Sequence, residues 1–349
     1  MEISKRILDP KEAMAFSLRE LYHSYGYKPY KMSKFEPYDL YVQNRSFLVG
    51  DNILTFTDLS GRLMALKPDV TLSIIKNYTS GQRKVYYHEN VYREGSGNHE
   101  FSEIMQVGLE CMGEIDLYTQ CEVLTLAAKS LERISPDYIL DVASVGLVRG
   151  LMAATDNDEA IRQSLLAYVQ GKNAHNIRGL CQERAIPEPV ARIWQELATL
   201  YGPAGEALAR LRPLCLNREM TAACDELEQV CRILETGGLG LNLDFSIVND
   251  LDYYNGLVFK GYVQGLHTRV LSGGRYDKLM RKMGKPAGAI GFAVYLDLLD
   301  QLSDRPAEPE EDVLLDYSGD GDVAAVLARA QALRDQGKTV RVLRRGENE

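Results

Sequence analysis

VYYHENVYRE (residues 85–94) and FSEIMQVGLECMG (residues 101–113) set the architecture of this chain. Both segments are rich in β-forming residues, and the turn-prone Gly95-Ser96-Gly97-Asn98 lies between them. That pattern spells a long antiparallel hairpin. Upstream, ILTFTD (53–58) and RLMALKP (62–68) form a shorter hairpin around Leu59-Ser60-Gly61-Arg62, and Pro68 leads into a helix over DVTLSIIKNY (69–78). Asp9-Pro10-Lys11-Glu12 opens an earlier helix, with Asp at the N-cap, Pro at N1 and Glu closing a capping box. Met14, Leu18, Leu21 and Tyr25 continue it at helical spacing, and Gly26 ends it. Downstream, LYTQCEVLTLAAKSLERI (117–134) is helical and DYILDVAS (137–144) is a strand.

From residue 147 to 237 the β-branched residues thin out, while Ile161, Leu165, Val169 and then Cys224, Leu227, Cys231, Leu234 keep a helical period. This stretch is expected to be a helical insertion. It separates a first part of the core, 1–146, from a second part, 238–304. Strand signals resume at LNLDFSIV (241–248), LVFKGYVQG (257–265) and TRVLSGG (268–274). Helices are expected near YDKLMRKMG (276–284) and after GAIGFAVYLDLLDQL (288–302). Residues 305–349 comprise a polar, proline-bearing linker and one β-α-β unit, too little to cover both faces of a sheet by itself. It is expected to lean on something else or to be a truncated domain.

Hydrophobic residues make up 45% and charged residues 26% of the 349, ordinary for a soluble globular protein. The net charge of −9 and the lack of a basic block argue against nucleic acid as a main partner. The six cysteines form no CxxC pair and only five histidines accompany them, so neither a zinc site nor a disulfide framework is expected. No run of about eighteen apolar residues occurs, which points to a cytoplasmic protein without a membrane anchor. Trp194 is expected in helix core or at a partner contact, and the histidines at surface or edge positions.

Four segments then converge on one resemblance. Leu66-Lys67-Pro68-Asp69-Val70-Thr71 resembles the RPExT stretch of histidyl-tRNA synthetases, and Val91-Tyr92-Arg93-Glu94 with residues 101–113 resembles their motif 2. Asp250 through Asn255 with Val258-Phe259 is similar to the signature RGLDYYxxxVFE, and Ser272 through Asp277 is similar to GGRYD. The resemblance implies an α+β fold, a class II aminoacyl-tRNA synthetase-like antiparallel sheet flanked by helices, with an amino acid bound on the sheet. Carried over residue by residue, Asp69 and Glu110 would sit near a histidine's ammonium, with Thr71 and Gln106 as hydrogen-bonding neighbours. Tyr254 and Tyr276 would contact the imidazole, Tyr253 belongs to the same signature, and Arg93 would sit near the carboxylate. The chemistry fits independently, since a buried cation needs acidic partners and an imidazole needs polar groups for both nitrogens. Taken singly, Asp69 reads first as a helix cap and each tyrosine first as strand packing; as a set they describe a pocket.

Departures from the family carry the functional expectation. Asn249 stands where the signature has arginine, and Leu298 where motif 3 ends in arginine. The turn 95–98 carries no arginine either. Enzymes that activate an amino acid with ATP aim fixed cations at the phosphates. Losing two such contacts slows chemistry by roughly a hundred- to ten-thousandfold. The pattern is similar to the family of ATP phosphoribosyltransferase regulatory subunits, histidyl-synthetase-like proteins without aminoacylation activity. That resemblance implies a short-form ATP phosphoribosyltransferase catalytic subunit as partner and histidine as feedback effector. It further implies a self-dimer within a hetero-oligomer, with no cofactor and no metal. The competing classes are an aberrant amino-acid-activating enzyme or ligase, and a stand-alone or RNA-associated binding module.

Overall fold

The computed structural model describes residues 8–48, 52–94, 100–155, 158–248, 251, 253–302, 313–318 and 322–344. Residues 11–302 form one compact unit, and the C-terminal segment belongs to a second. The larger unit opens with helix α1 (Pro10–Ser24) and strand β1 (Lys28–Pro29). A small sheet follows, built from β2 (Phe35–Pro37), β3 (Thr55–Thr57) and β4 (Leu63–Leu66), with α2 (Tyr38–Val42) inserted. Antiparallel pairing of β3 with β4 realises the short hairpin read from the sequence.

After α3 (Thr71–Lys76) come the two long strands, β5 (Arg83–Glu94) and β6 (Phe101–Gly113), paired antiparallel from Arg83↔Met112 to Glu94↔Phe101. Helix α4 (Leu117–Ile134), capped by Asp116 accepting from the Thr119 N–H at 2.8 Å, leads to β7 (Tyr138–Ser144). The helical stretch holds α5 (Val145–Ala154), α6 (Glu159–Gln170), α7 (Ala174–Glu183), α8 (Glu188–Thr199), α9 (Ala204–Leu211) and α10 (Arg218–Thr236). It also holds a short strand, β8 (Tyr201–Pro203). The remaining strands are β9 (Asn242–Asp244), β10 (Leu257–Val263), β11 (Leu271–Arg275) and β12 (Gly288–Tyr295), with α11 (Asp277–Lys282) between the last two.

Among the described residues nine strands make one sheet, in the order β1-β5-β6-β12-β11-β10-β7-β9-β8. From β5 to β7 every pairing is antiparallel. Both edges bring in a parallel pair, β1 with β5 and β7 with β9. Two expectations need correcting. The stretch 288–302 is not simply a lead into a helix: its first eight residues are the strand β12 near the sheet's centre, and Leu296–Gln301 is a 3₁₀ helix. Within LNLDFSIV only three residues pair as a strand before a 3₁₀ turn over Phe245–Ile247. Strand β12 escapes pattern reading because both of its faces are largely buried, with glycine and alanine on one and Ile290, Phe292 and Val294 on the other, so apolar and polar positions do not alternate.

Side chains alternate across a strand, so the sheet has two distinct faces. On one, Val107, Leu109, Cys111, Ile290, Phe292 and Val294 join a continuous apolar cluster with α1 and α4. Tyr22 of α1 sets its ring edge-on to Phe292 at 5.8 Å, and a Cβ on Gly261 would lie 2.6 Å from Leu131 of α4, so that glycine permits close helix–sheet packing. The helical stretch feeds the same cluster through Val169 and Trp194. Trp194 is fully buried and its ring N–H donates to Thr155 at 2.9 Å, a core role. The opposite face packs a second apolar cluster, with Val85, Val91, Met112 and Ala289 against α3 and α11, and carries the polar cavity described below.

The second unit comprises β13 (Val313–Tyr317), α12 (Val323–Asp335) and β14 (Val340–Arg344). The strands pair in parallel, as a β-α-β crossover requires, and Leu315, Ala330 and Val340 are its buried core. The linker read at 305–311 lies outside the described residues. Among the described residues no helix is long and apolar enough to cross a membrane.

Candidate functional site

A cavity of about 170 Å³ opens on this second face of the large sheet. Cavities of roughly 150 Å³ accommodate a ring the size of benzene, so this space suits one small molecule. Asp69, Thr71, Arg93, Gln106, Glu110, Tyr253, Tyr254 and Tyr276, singled out in the sequence, all line it. They come from the start of α3, from β5 and β6, and from the segments flanking β10 and β11. The hairpin brings Arg93 and Glu110 to the cavity. The register Glu110↔Gly291 then sets β12 directly beside the carboxylate. A Cβ on Gly291 would lie 1.8 Å from Glu110 Oε2. Glycine at that position is what gives the Glu110 side chain room to lie across the sheet.

Glu110 is the best-held group of the site. Thr71 Oγ1 donates to its Oε1 at 2.8 Å, and the Tyr276 hydroxyl donates to its Oε2. Burial pushes its carboxyl up to about 8, opposed by those two donors and reinforced by the nearby Asp69. Asp69 is buried as well and its carboxyl is likewise raised by burial, against the pull of Arg93 and of the Leu72 N–H. Both readings of Asp69 hold together in geometry: Oδ1 accepts from the Leu72 N–H at 2.8 Å as a helix cap does, and the residue lines the cavity. Tyr253 packs with ring centroids 4.6 Å from Tyr254 and 5.8 Å from Tyr276, forming an aromatic wall. Arg93 donates from Nε to the Pro68 carbonyl at 2.6 Å, and its Nη2 approaches Asp69 at 3.8 Å, so the guanidinium is anchored at one edge while it lines the cavity. Lys67, in the RPExT-like stretch, is fully buried and pairs with Glu89 at 2.6 Å.

Five further polar residues line the cavity without having been singled out: Tyr87, Lys260, Arg269, Ser272 and Tyr295. Lys260 takes the position where the quoted signature ends in Glu, which was the one available sequence signal. Arg269 follows the β10–β11 turn, where no motif marks it. The cavity therefore has more cations than the sequence alone indicated. Leu298 is absent from the lining and packs against the main apolar cluster. Asn249 and the turn 95–98 lie outside the described residues. Among the described residues no group of three His, Cys, Asp or Glu side chains could hold a metal ion.

Fold and site together define a class: a class II aminoacyl-tRNA synthetase-like α+β protein with a small-molecule cavity on its central sheet. The histidyl-tRNA synthetase family matches residues 6–299, and the chain belongs to that family. The ATP phosphoribosyltransferase regulatory subunit of Clostridium kluyveri is 28% identical over 335 residues, covering 92% of this chain and 85% of that protein. Its counterpart in Caldanaerobacter subterraneus subsp. tengcongensis is 29% identical over 340 residues, covering 92% and 87%. A crystal structure described as an ATP phosphoribosyltransferase regulatory subunit/histidyl-tRNA synthetase from Bacillus halodurans shares the fold, with a TM-score of 0.80 and 24% identity. That match covers 100% of this chain and 94% of that one.

Proposed function

We propose that this chain is a non-catalytic regulatory subunit of ATP phosphoribosyltransferase, which binds histidine in the sheet cavity and controls a short-form catalytic partner. The partner condenses ATP with phosphoribosyl pyrophosphate, the first step of histidine biosynthesis, and histidine bound here would feed back on it. One observation carries the reading: the acidic, donor and tyrosine side chains expected to hold an ammonium and an imidazole line a single cavity of amino-acid size. The names of the relatives at 28–29% identity support the same assignment. Leu298, half-buried against the main apolar cluster where the family has an arginine for the nucleotide, speaks against ATP-dependent activation. Feedback of this kind needs only that histidine bind the two assembly states with different affinity.

Co-expression with a short-form catalytic subunit tests it. Turnover should appear only when both chains are present and should fall as histidine is added. Activity of the catalytic chain alone, undiminished by histidine in the complex, would reject the proposal.

A second reading, an amino-acid-activating enzyme, draws on Lys260 and Arg269, which supply positive charge in the cavity that could face phosphates. Histidine-dependent pyrophosphate exchange by the purified chain separates the two: its appearance would establish the enzyme.

A further inference from the structure

Residues Tyr87, Gly108, Ala293, Ser272 and Lys260 stand side by side across β5, β6, β12, β11 and β10 in one register row. The three middle side chains are short; the Tyr87 hydroxyl lies over Gly108, so the open part of the row is a trough that runs over Ala293 and Ser272 to Lys260. With neighbouring strands about 4.8 Å apart, the three spacings from β6 to β10 amount to roughly 14 Å. Two long side chains reaching inward from the ends of that span leave a gap of small-molecule length.

Lys260 and Arg269 stand together at the far end. Burial and the neighbouring Arg269 push the Lys260 ammonium down to about 8, with Asp244 pulling the other way. Among the described residues neither cation has a hydrogen-bond or ion-pair partner, and the Arg269 Nε is buried and unpartnered. The acids close by do not neutralise them. Asp244 pairs with Lys172 at 2.7 Å. Asp141, opposite Lys260 on β7, leaves its Oδ1 unpartnered, and burial with the adjacent Asp244 raises its carboxyl to about 7. Partly desolvated like charges without a counter-charge are unfavourable unless something else supplies the anion. The opposite end of the cavity has the reverse balance, two buried acids, Asp69 and Glu110, beside one arginine, Arg93.

We propose that Lys260 and Arg269, with Ser272 between them and the acidic end, form an anion subsite that takes the carboxylate of the amino acid bound in the cavity. This deepens the function proposed above and rests on it for the identity of the amino acid. A phosphate offers the same chemistry, two anionic oxygens for a guanidinium fork and an ammonium, and is the other source the subsite could serve. The carboxylate comes first because the enclosed volume suits one small molecule.

Calorimetric titration of the full-length chain tests this with three probes: L-histidine, histidinol, which lacks the carboxylate, and inorganic phosphate. The variants are Lys260→Met, which keeps the aliphatic stem, and Arg269→Gln, with thermal midpoints recorded as a check on folding. Each should weaken histidine about ten- to hundredfold, the scale of one charge-assisted contact, while histidinol binding stays within about twofold of wild type. Histidine unmoved but phosphate binding lost in both variants would assign the subsite to phosphate. Histidine and phosphate both unmoved would overturn it. A wild-type chain that gives no heat with histidine would defeat the effector proposal instead, and the subsite would then stand or fall on the phosphate arm. Arg269→Lys, which retains charge without the fork, should recover part of the lost affinity and so separates charge from fold damage.

Discussion

The two ends of the cavity are built on opposite principles. At the acidic end both carboxyl groups are held: Glu110 takes donors from Thr71 and Tyr276, and Asp69 caps α3, while Arg93 donates from Nε to Pro68. At the basic end Lys260 and Arg269 stand without partners among the described residues. A pre-organised end fixes a ligand's orientation at little further entropic cost, whereas an unsatisfied end gains most from a ligand that brings its own charge. The difference predicts that orientation is set at Glu110 and that discrimination between zwitterion and amine is set at Lys260 and Arg269.

The largest effect is expected at Glu110. Removing one partner of a buried, hydrogen-bonded charge pair costs about 2–5 kcal/mol, so Glu110→Gln should weaken histidine by roughly thirty- to several-thousandfold in calorimetry. Its stability should move the other way. The Glu110 carboxyl is raised from its ordinary 4.5 to about 8 in the folded protein, so the folded state binds the extra proton. The stability associated with that proton is complete below about pH 4.5 and is lost as pH rises through about 8. Glu110→Gln removes this loss, so at pH 8 its thermal midpoint should exceed that of wild type, with a smaller gap at pH 5. A variant that lost both binding and stability at pH 8 would mean that Glu110 is structural and would erase the contrast between the ends.

Proton exchange measures the same contrast more gently. An ammonium at Glu110 favours the ionised carboxylate, so binding near pH 7 should release protons and affinity should climb toward pH 8. Above about 8 the Lys260 ammonium begins to lose its proton, so an anion held there should cause affinity to level and then fall. Titration in two buffers of different ionisation enthalpy, at pH 7 and at pH 9, reads release in the first case and uptake in the second. Tyr253, Tyr276 and Tyr87 also face Glu110, but burial pushes their hydroxyls further up from the ordinary phenol range, so they add no release here. The Asp69 carboxyl is raised by burial as that of Glu110 is and adds to the release from the same end.

What was legible in the sequence follows the same division. The acidic end lies in contiguous motifs, where Asp69 and Thr71 are two residues apart and Gln106 and Glu110 share one strand face, so its side chains could be grouped without coordinates. The β5–β6 hairpin was legible for the same reason, since long runs of β-formers around a turn need no tertiary information. Strand β12 was not, because its glycines and alanines are selected by what crosses above them, Glu110 at Gly291 above all. The three residues of β8 were hidden inside a helical stretch, and they pair only because β9 reaches them from forty residues away. Lys260 and Arg269 became a pair only through the β10–β11 register and the turn that follows Val263. Charge that acts through tertiary pairing leaves no mark at fixed sequence spacing.

Tyr276→Phe gives the smallest expected change and the finest test of how the acidic end is organised. Its hydroxyl donates to Glu110, and its ring packs against Tyr253 at 5.8 Å. Phenylalanine keeps the ring contact and deletes one hydrogen bond, a change of about 0.5–1.5 kcal/mol, or roughly two- to tenfold in histidine affinity. Losing a donor that favours the ionised carboxylate also lifts the Glu110 carboxyl further. The rise of affinity with pH should therefore shift to higher pH than in wild type, while the loss above about 8 set by Lys260 stays where it was. A Tyr276→Phe profile displaced on both limbs would mean that the two ends titrate as one unit. A profile displaced on the lower limb alone would show that the tyrosine acts on the carboxylate and that the cationic end is independent of it.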